Sequence, residues 1–222
     1  MTASEVPRLV VIGGSAGSFP VLLEMLPVLP ADLPAALVLA THLPPSTQHR
    51  SVLRELLERR CRVPVTWAAE GDPVRAGVLQ MAPQDAHLTL GADGRWHTEP
   101  ALARPRPSVD RLLHSIAASG HGPSTIAVVL SGYLTDGARG AQAILDTGGI
   151  LLIQGGGEQN SMPGAALQRT GAALVLPSHL LGPTVTALLA SPGSDAWFRV
   201  WPGAPYVVQA ANDFGLDRKP DV

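Results

Sequence analysis

Hydrophobic positions along this chain fall into short blocks broken by glycine, proline and polar turns. Leu9-Val10-Val11-Ile12, closed by Gly13-Gly14, predicts a first strand. Ser18 offers an N-cap, Pro20 suits a first helical turn, and Val21-Leu22-Leu23 with Met25-Leu26 predicts a helix. Residues 36–41 predict a second strand and 51–60 a second helix. The middle of the chain reads differently. Residues 77–82 and 87–90, with turn signals at Gln84-Asp85 and Asp93-Gly94, predict short hairpin strands.

Alternation then resumes. Helices are predicted over 108–118, 138–146, 163–169 and 183–190, and strands over 125–130, 150–153 and 173–176. Strand–helix alternation predicts an α/β fold: a doubly wound, mostly parallel sheet with helices on both faces and a short antiparallel hairpin insertion. No internal repeat is visible. The regular part, 1–190, reads as one domain, followed by an extension over 191–222 behind a Pro192-Gly193-Ser194 linker. Five of the nine aromatics lie there (Trp197, Phe198, Trp201, Tyr206 and Phe214), so the extension has the means to pack on the domain or on a partner.

Composition narrows the function classes. A hydrophobic share of 45% and a charged share of 15% are those of a folded globular chain. The formal charge of −2 supplies no basic surface, so nucleic acid is not an expected partner. No uncharged apolar run approaches the roughly 20 residues of a membrane span, and the start of the chain lacks the basic region of a signal peptide. One cysteine, Cys61, cannot form an internal disulfide and suits a reducing compartment, so a cytoplasmic location without membrane insertion is expected.

Gly13-Gly14-Ser15-Ala16-Gly17 fits G-x-S-x-G between a strand and a helix, a turn that exposes a serine hydroxyl beside helix N-terminal N–H groups. Alone it serves equally as a phosphate cradle or a plain turn. It lacks the P-loop lysine and the G-x-G-x-x-G spacing. Its place at the first strand also differs from the common α/β-hydrolase order, in which several strands precede the nucleophile.

His42 ends the second predicted strand, and Asp136 follows the strand over 125–130. In a parallel sheet these carboxyl ends lie on one side, where an imidazole and a carboxylate could serve Ser15. By position alone, His42 is equally a backbone-satisfied strand-end histidine, and Asp136 an ordinary N-cap. No His/Cys/Asp cluster has metal-ligand spacing, so neither metal nor cofactor is expected.

Six landmarks in order carry a resemblance. They are Val11-Ile12-Gly13-Gly14-Ser15-Ala16-Gly17, Thr41-His42-Leu43-Pro44-Pro45, Met81-Ala82-Pro83 with His87, Arg106-Pro107-Ser108-Val109-Asp110, Leu130-Ser131-Gly132 with Asp136-Gly137-Ala138-Arg139-Gly140, and Ser161-Met162-Pro163. Together they resemble the catalytic domain of the chemotaxis protein-glutamate methylesterases, the CheB family, from about Leu9 to about Leu189.

The resemblance implies Ser15 as nucleophile, His42 as base and Asp136 as acid, with Ala16 and the Tyr133 loop at the oxyanion site. It implies demethylation of glutamate esters on the cytoplasmic helices of methylated chemoreceptors, with glutamine deamidation as a side activity. Tyr133 stands where the family usually has methionine, Leu134 where it usually has glycine, and Ser18 replaces another common glycine. His87 is expected to be structural or to line the rim, and Asp110 to start a helix. The other histidines (His49, His97, His114, His121 and His179) are expected at the surface. Many members carry an N-terminal receiver domain. Here the nucleophile turn comes after about a dozen residues, so the expectation is a chain without one, regulated if at all by a separate chain. The competing expectations are a non-catalytic binding module of the same fold in a chemosensory complex, and a hydrolase of small esters.

Overall fold

A computed structural model describes residues 6–42, 47–103, 105–156, 161–171 and 173–190, with residues 47–51 as backbone only. The extension over 191–222, the landmark residues Leu43-Pro44-Pro45 and the His49 side chain lie outside the described residues.

Seven parallel strands form the main sheet. In chain order the elements are β1 (Arg8–Gly14), α1 (Ser18–Met25), β2 (Ala35–Thr41), α2 (Thr47–Glu58), β3 (Val65–Trp67), β4 (Leu79–Met81), β5 (Ala86–Leu90), β6 (Trp96–Pro100), α3 (Val109–Ala118), β7 (Thr125–Val129), α4 (Ala138–Asp146), β8 (Ile150–Gln154), α5 (Met162–Thr170), β9 (Leu174–Leu176) and α6 (Ser178–Ala190). The main sheet runs β3-β4-β2-β1-β7-β8-β9, and β5 and β6 form a separate antiparallel pair. The doubly wound fold with a hairpin insertion is therefore the fold observed.

Covering the sheet on both faces explains why its strands are continuous apolar runs. Successive side chains of a strand point to opposite faces. Leu9 and Val11 of β1 enter the core under α3, α4, α5 and the hairpin, whereas Val10 and Ile12 enter the one under α1, α2 and α6. Strand order reverses at β1: the chain first builds outward through β2, then returns to the other side of β1 with β7. Loops leaving β1 and β7 therefore diverge and open a crevice at the carboxyl ends of the strands.

Two local expectations are corrected. Residues 79–81 do not join a hairpin with 87–90; they form β4, paired parallel with β2 and with the unanticipated β3. The hairpin partner of β5 is β6, whose Trp96 is fully buried and donates its ring N–H to Gln80 Oε1 at 3.0 Å. A three-residue apolar run has no period long enough to choose its partner, so tertiary burial decides. Ser18, secondly, is the first residue inside α1 and not its cap. Gly17, at φ 81°, is the N-cap, and Ser18 Oγ instead donates to the Ser15 carbonyl at 2.7 Å.

Candidate active site

The register of the sheet puts the first two site residues side by side. Gly14 of β1 pairs with Thr41 of β2, and Ser15 and His42 are the next residue of each strand. The His42 N–H donates to the Gly14 carbonyl at 3.2 Å, holding the two strand ends together. From the other side the β7 loop closes on the same point, because the Ser15 N–H donates to the Ser131 carbonyl at 2.9 Å. Ser15 is half-buried, and Ala16 beside it is exposed.

Asp136 comes from that β7 loop and is buried. Its carboxylate does not cap its own helix, α4, whose N-cap is Gly137. It lies instead at the N-terminus of α3. Oδ1 accepts from Ser108 Oγ (2.9 Å) and the Asp110 N–H (3.0 Å), and Oδ2 accepts from the Val109 N–H (2.7 Å). Oδ2 also bonds His42 Nε2 at 2.8 Å. Burial alone would raise the Asp136 pKa. The His42 ring and the Asp110 and Val109 N–H groups outweigh burial and hold the carboxyl below its ordinary range. An ionised Asp136 makes Nε2 the protonated ring nitrogen of neutral His42 and leaves Nδ1 as its acceptor.

The α3 N-terminus reaches this point because Gly13 has no side chain: a Cβ there would lie 2.5 Å from Val109 Cγ1. Gly132 provides the second close approach. A Cβ on it would meet Met162 Sδ at 2.2 Å and Ser15 Cβ at 2.8 Å. Gly132→Ala is accordingly expected to push Ser15 and α5 apart. Overpacking should cost about 1–3 kcal/mol of stability, and misplacing the hydroxyl on the order of 10²-fold in turnover. Thermal melts and ester-hydrolysis rates on the variant check both, and a wild-type rate would refute the close packing.

Sequence reasoning missed the second ring of groups. Gln154, at the carboxyl end of β8, accepts at Oε1 from the Ser131 N–H (2.8 Å) and Oγ (2.9 Å), so it fixes the carbonyl that holds Ser15. The available signal was a lone polar residue ending the apolar run Ile150-Leu151-Leu152-Ile153. Gln154→Leu should lower kcat about 10- to 100-fold with little change in KM, whereas Gln154→Glu, which keeps the acceptor, should recover most of it. Equal losses in both variants would exclude this positioning role.

Other expectations land as follows. The Ser108 N–H donates to His87 Nδ1 at 3.1 Å, so His87 supports the α3 start; burial first and Arg111 second lower its pKa. Asp110 lies in the first turn of α3 and accepts from the Gly140 N–H of α4 at 2.8 Å. His114 and His179 are exposed, and His97 pairs with Glu70 at the surface. Burial raises the Cys61 pKa to about 11, leaving a thiol without nucleophilic character at neutral pH. Among the described residues no cluster of His, Cys, Asp and Glu could hold a metal ion, and no helix is long and apolar enough to cross a membrane.

The β7 loop also presents Tyr133 and Leu134 outward, 74% and 76% exposed. Leu134 adopts φ 68°, a left-handed conformation that costs a branched side chain about 1–2 kcal/mol. An isolated bridge from Tyr133 to Ser161, with the Met162 N–H donating to the Gly132 carbonyl at 2.9 Å, holds the loop in place.

Comparisons with known proteins place the chain as a whole. The family model described as CheB methylesterase matches residues 10–185. The solved catalytic domain of Thermotoga maritima CheB methylesterase superposes with a TM-score of 0.75 at 30% identity, over 82% of this chain and 98% of that one. A protein-glutamate methylesterase/protein-glutamine glutaminase of Bordetella avium is 35% identical over 190 residues, covering 84% of this chain and 55% of its own. One of Xanthomonas campestris is 35% identical over 192 residues, covering 82% and 52%. The chain thus spans about half the length of the curated relatives it matches. With a family match over residues 10–185 and a fold shared with a solved catalytic domain, the chain belongs to the CheB methylesterase family.

Proposed function

We propose that this chain hydrolyses γ-methyl esters of glutamate side chains on the cytoplasmic helices of chemoreceptors, with Ser15, His42 and Asp136 as its catalytic triad. The observation that carries the proposal is the His42–Asp136 bond at 2.8 Å, one strand away from the turn that presents Ser15. The names of the relatives, protein-glutamate methylesterase/protein-glutamine glutaminase, supply the substrate class.

In this mechanism His42 Nδ1 takes the Ser15 hydroxyl proton as Oγ attacks the ester carbonyl. Asp136 keeps Nε2 protonated and stabilises the imidazolium that forms. The Ser15 N–H is already committed to Ser131, so it cannot serve the oxyanion. Ala16 and Tyr133 N–H groups, which have no acceptor among the described residues, are the donors for the tetrahedral oxyanion. The imidazolium then returns its proton to the leaving methoxide, and methanol departs from the acyl-enzyme. Water, deprotonated by His42, attacks the acyl carbonyl; the bond to Ser15 Oγ breaks, Oγ takes the proton back from His42, and glutamate is released. A glutamine amide follows the same course with ammonia as leaving group.

A fluorophosphonate probe tests the site without any receptor. Stoichiometric labelling of Ser15, found by mass spectrometry of the peptide bearing it, is expected. A properly folded chain that resists the probe would favour the non-catalytic binding module. Rapid turnover of small esters with none of methylated receptor would favour a small-ester hydrolase.

A further inference from the structure

Buried polar side chains in a folded protein are matched with hydrogen-bond partners. Gln80 of β4 follows that rule. Fully buried, it accepts at Oε1 from the Arg75 N–H (3.2 Å) and Trp96 Nε1 (3.0 Å), and it donates from Nε2 to the Pro73 carbonyl (3.1 Å). Gln84, just past the same strand and 1% exposed, breaks it. Among the described residues, the buried side-chain nitrogen and oxygen atoms without a partner are Gln84 Oε1, Gln84 Nε2 and Arg106 Nε. Leaving such groups unpaired costs the fold their lost hydration.

Two short segments carry all three atoms, and they run side by side. The Ala101 N–H donates to the carbonyl of Asp85, the neighbour of Gln84, at 3.0 Å. The Ser108 N–H, two residues past Arg106, donates to His87 Nδ1 at 3.1 Å. Both segments border the His42–Asp136 pair. The Ala82 N–H donates to the Leu39 carbonyl at 2.8 Å, so the end of β4 follows β2 toward His42, and Ser108 Oγ donates to Asp136 Oδ1 at 2.9 Å.

Chemistry restricts what can join the three atoms. Arg106 Nε and Gln84 Nε2 are donors, whereas Gln84 Oε1 is an acceptor. A carboxylate would suit the donors and repel Oε1; a cation would face the guanidinium charge. A water molecule accepts two hydrogen bonds and donates one to the carbonyl, so it serves all three atoms, the usual number for a buried water. We propose that Gln84 and Arg106 hold one internal water, which ties the end of β4 to the segment leading into α3 and so positions Ser108 and Asp136 behind His42; its effect on turnover rests on the esterase reading above. Gln84 is then a positioning residue that acts through Ser108.

The test compares Gln84→Leu with the unsubstituted full chain, and the sign of the result is decisive. Were the three atoms simply unpaired, an apolar group of similar size would stabilise the fold. With the water held, the substitution strands Arg106 Nε, and the folding equilibrium constant from denaturant melts should fall about tenfold. The kcat for ester hydrolysis should fall about tenfold with KM unchanged. Gln84→Glu, which keeps an acceptor, should recover most of both losses. Arg106→Leu should cost a similar amount, and the double variant little more than either single one, because one water serves both side chains. Should Gln84→Leu fail to fold, Gln84→Met takes its place. A folding constant that rises or stays within about twofold, additive costs in the double variant, or an unchanged kcat overturns the proposal. Absence of both labelling and turnover in the unsubstituted chain sinks the esterase reading, while the melts still decide the water site.

Discussion

Ser15→Ala is expected to remove methanol release from a methylated receptor substrate almost entirely, with kcat/KM falling roughly 10⁴- to 10⁶-fold. The melting temperature should move by no more than about 2 °C. The contrast between the two numbers is the point. The contacts that hold Ser15 are made by its backbone, with its N–H on Ser131 and its carbonyl on Ser18, and both survive the substitution. Its side chain is half-buried, so removing one hydroxyl leaves no large cavity. What disappears is the atom that forms the acyl bond in the proposed mechanism. Methanol release by a coupled assay, beside a thermal melt, makes the measurement. Turnover within about tenfold of wild type would remove Ser15 from the mechanism.

Asp136→Asn is expected to damage both activity and fold. All four donors that converge on the carboxylate need an acceptor: Ser108 Oγ, the Asp110 and Val109 N–H groups, and His42 Nε2. An amide turns one oxygen into a donor, so at least one of those groups faces another N–H in a buried site. The expected cost is about 2–4 kcal/mol of stability. If the amide nitrogen faces His42, the ring switches tautomer and Nδ1 carries the proton, which blocks the base; turnover should then fall about 10³- to 10⁴-fold. Denaturant melts and ester hydrolysis measure the two effects. A variant as stable and as active as wild type would show that the carboxylate is not the acceptor at this junction.

The same carboxylate sets a pH dependence. Its folded pKa lies below its ordinary value of 3.8. The stability it contributes is therefore complete above about pH 4 and is lost as pH falls through the lower folded value. His87 acts in the same direction at higher pH. Its folded pKa lies below 6.5, because burial disfavours the charged ring and the nearby Arg111 adds repulsion. Stability should thus decline in two steps on acidification, the first beginning below about pH 6.5 and the second below about pH 4. Asp136→Asn should remove the second step and leave the first.

Most strands and helices were legible because each is a period of apolar positions closed by glycine or proline. The run Leu9-Val10-Val11-Ile12 before Gly13-Gly14, and the helix over Ala138–Asp146 before Gly148-Gly149, needed no distant information. Short elements were legible only in part. Leu79–Met81 falls inside a predicted strand but pairs with β2 and β3 instead of the expected hairpin, and Val65–Trp67, three residues long, shows no period and is a strand because it pairs with β4 at the sheet edge.

The site divides in the same way. Ser15, His42 and Asp136 could be named from their places at strand ends and from the landmarks around them. Their partners could not, because each partner comes from another part of the chain. Asp136 looked like the cap of the helix that follows it, yet it caps α3, because the missing side chain of Gly13 lets that helix start within reach. Gln154 carried no motif, and its role arises from β8 lying beside β7.

The sequence by itself determined the alternation of elements and the parallel class of sheet, since these follow from local apolar period and turn chemistry, and its family landmarks marked Ser15, His42 and Asp136 as candidates. Only the tertiary structure decided which ring nitrogen of His42 meets Asp136, that the Ser15 N–H is spent on Ser131, and that Gln84 and Arg106 bury their polar atoms on neighbouring segments. Those are matters of distance between residues far apart in the chain, and distance is set by how the packed layers close, not by any local pattern.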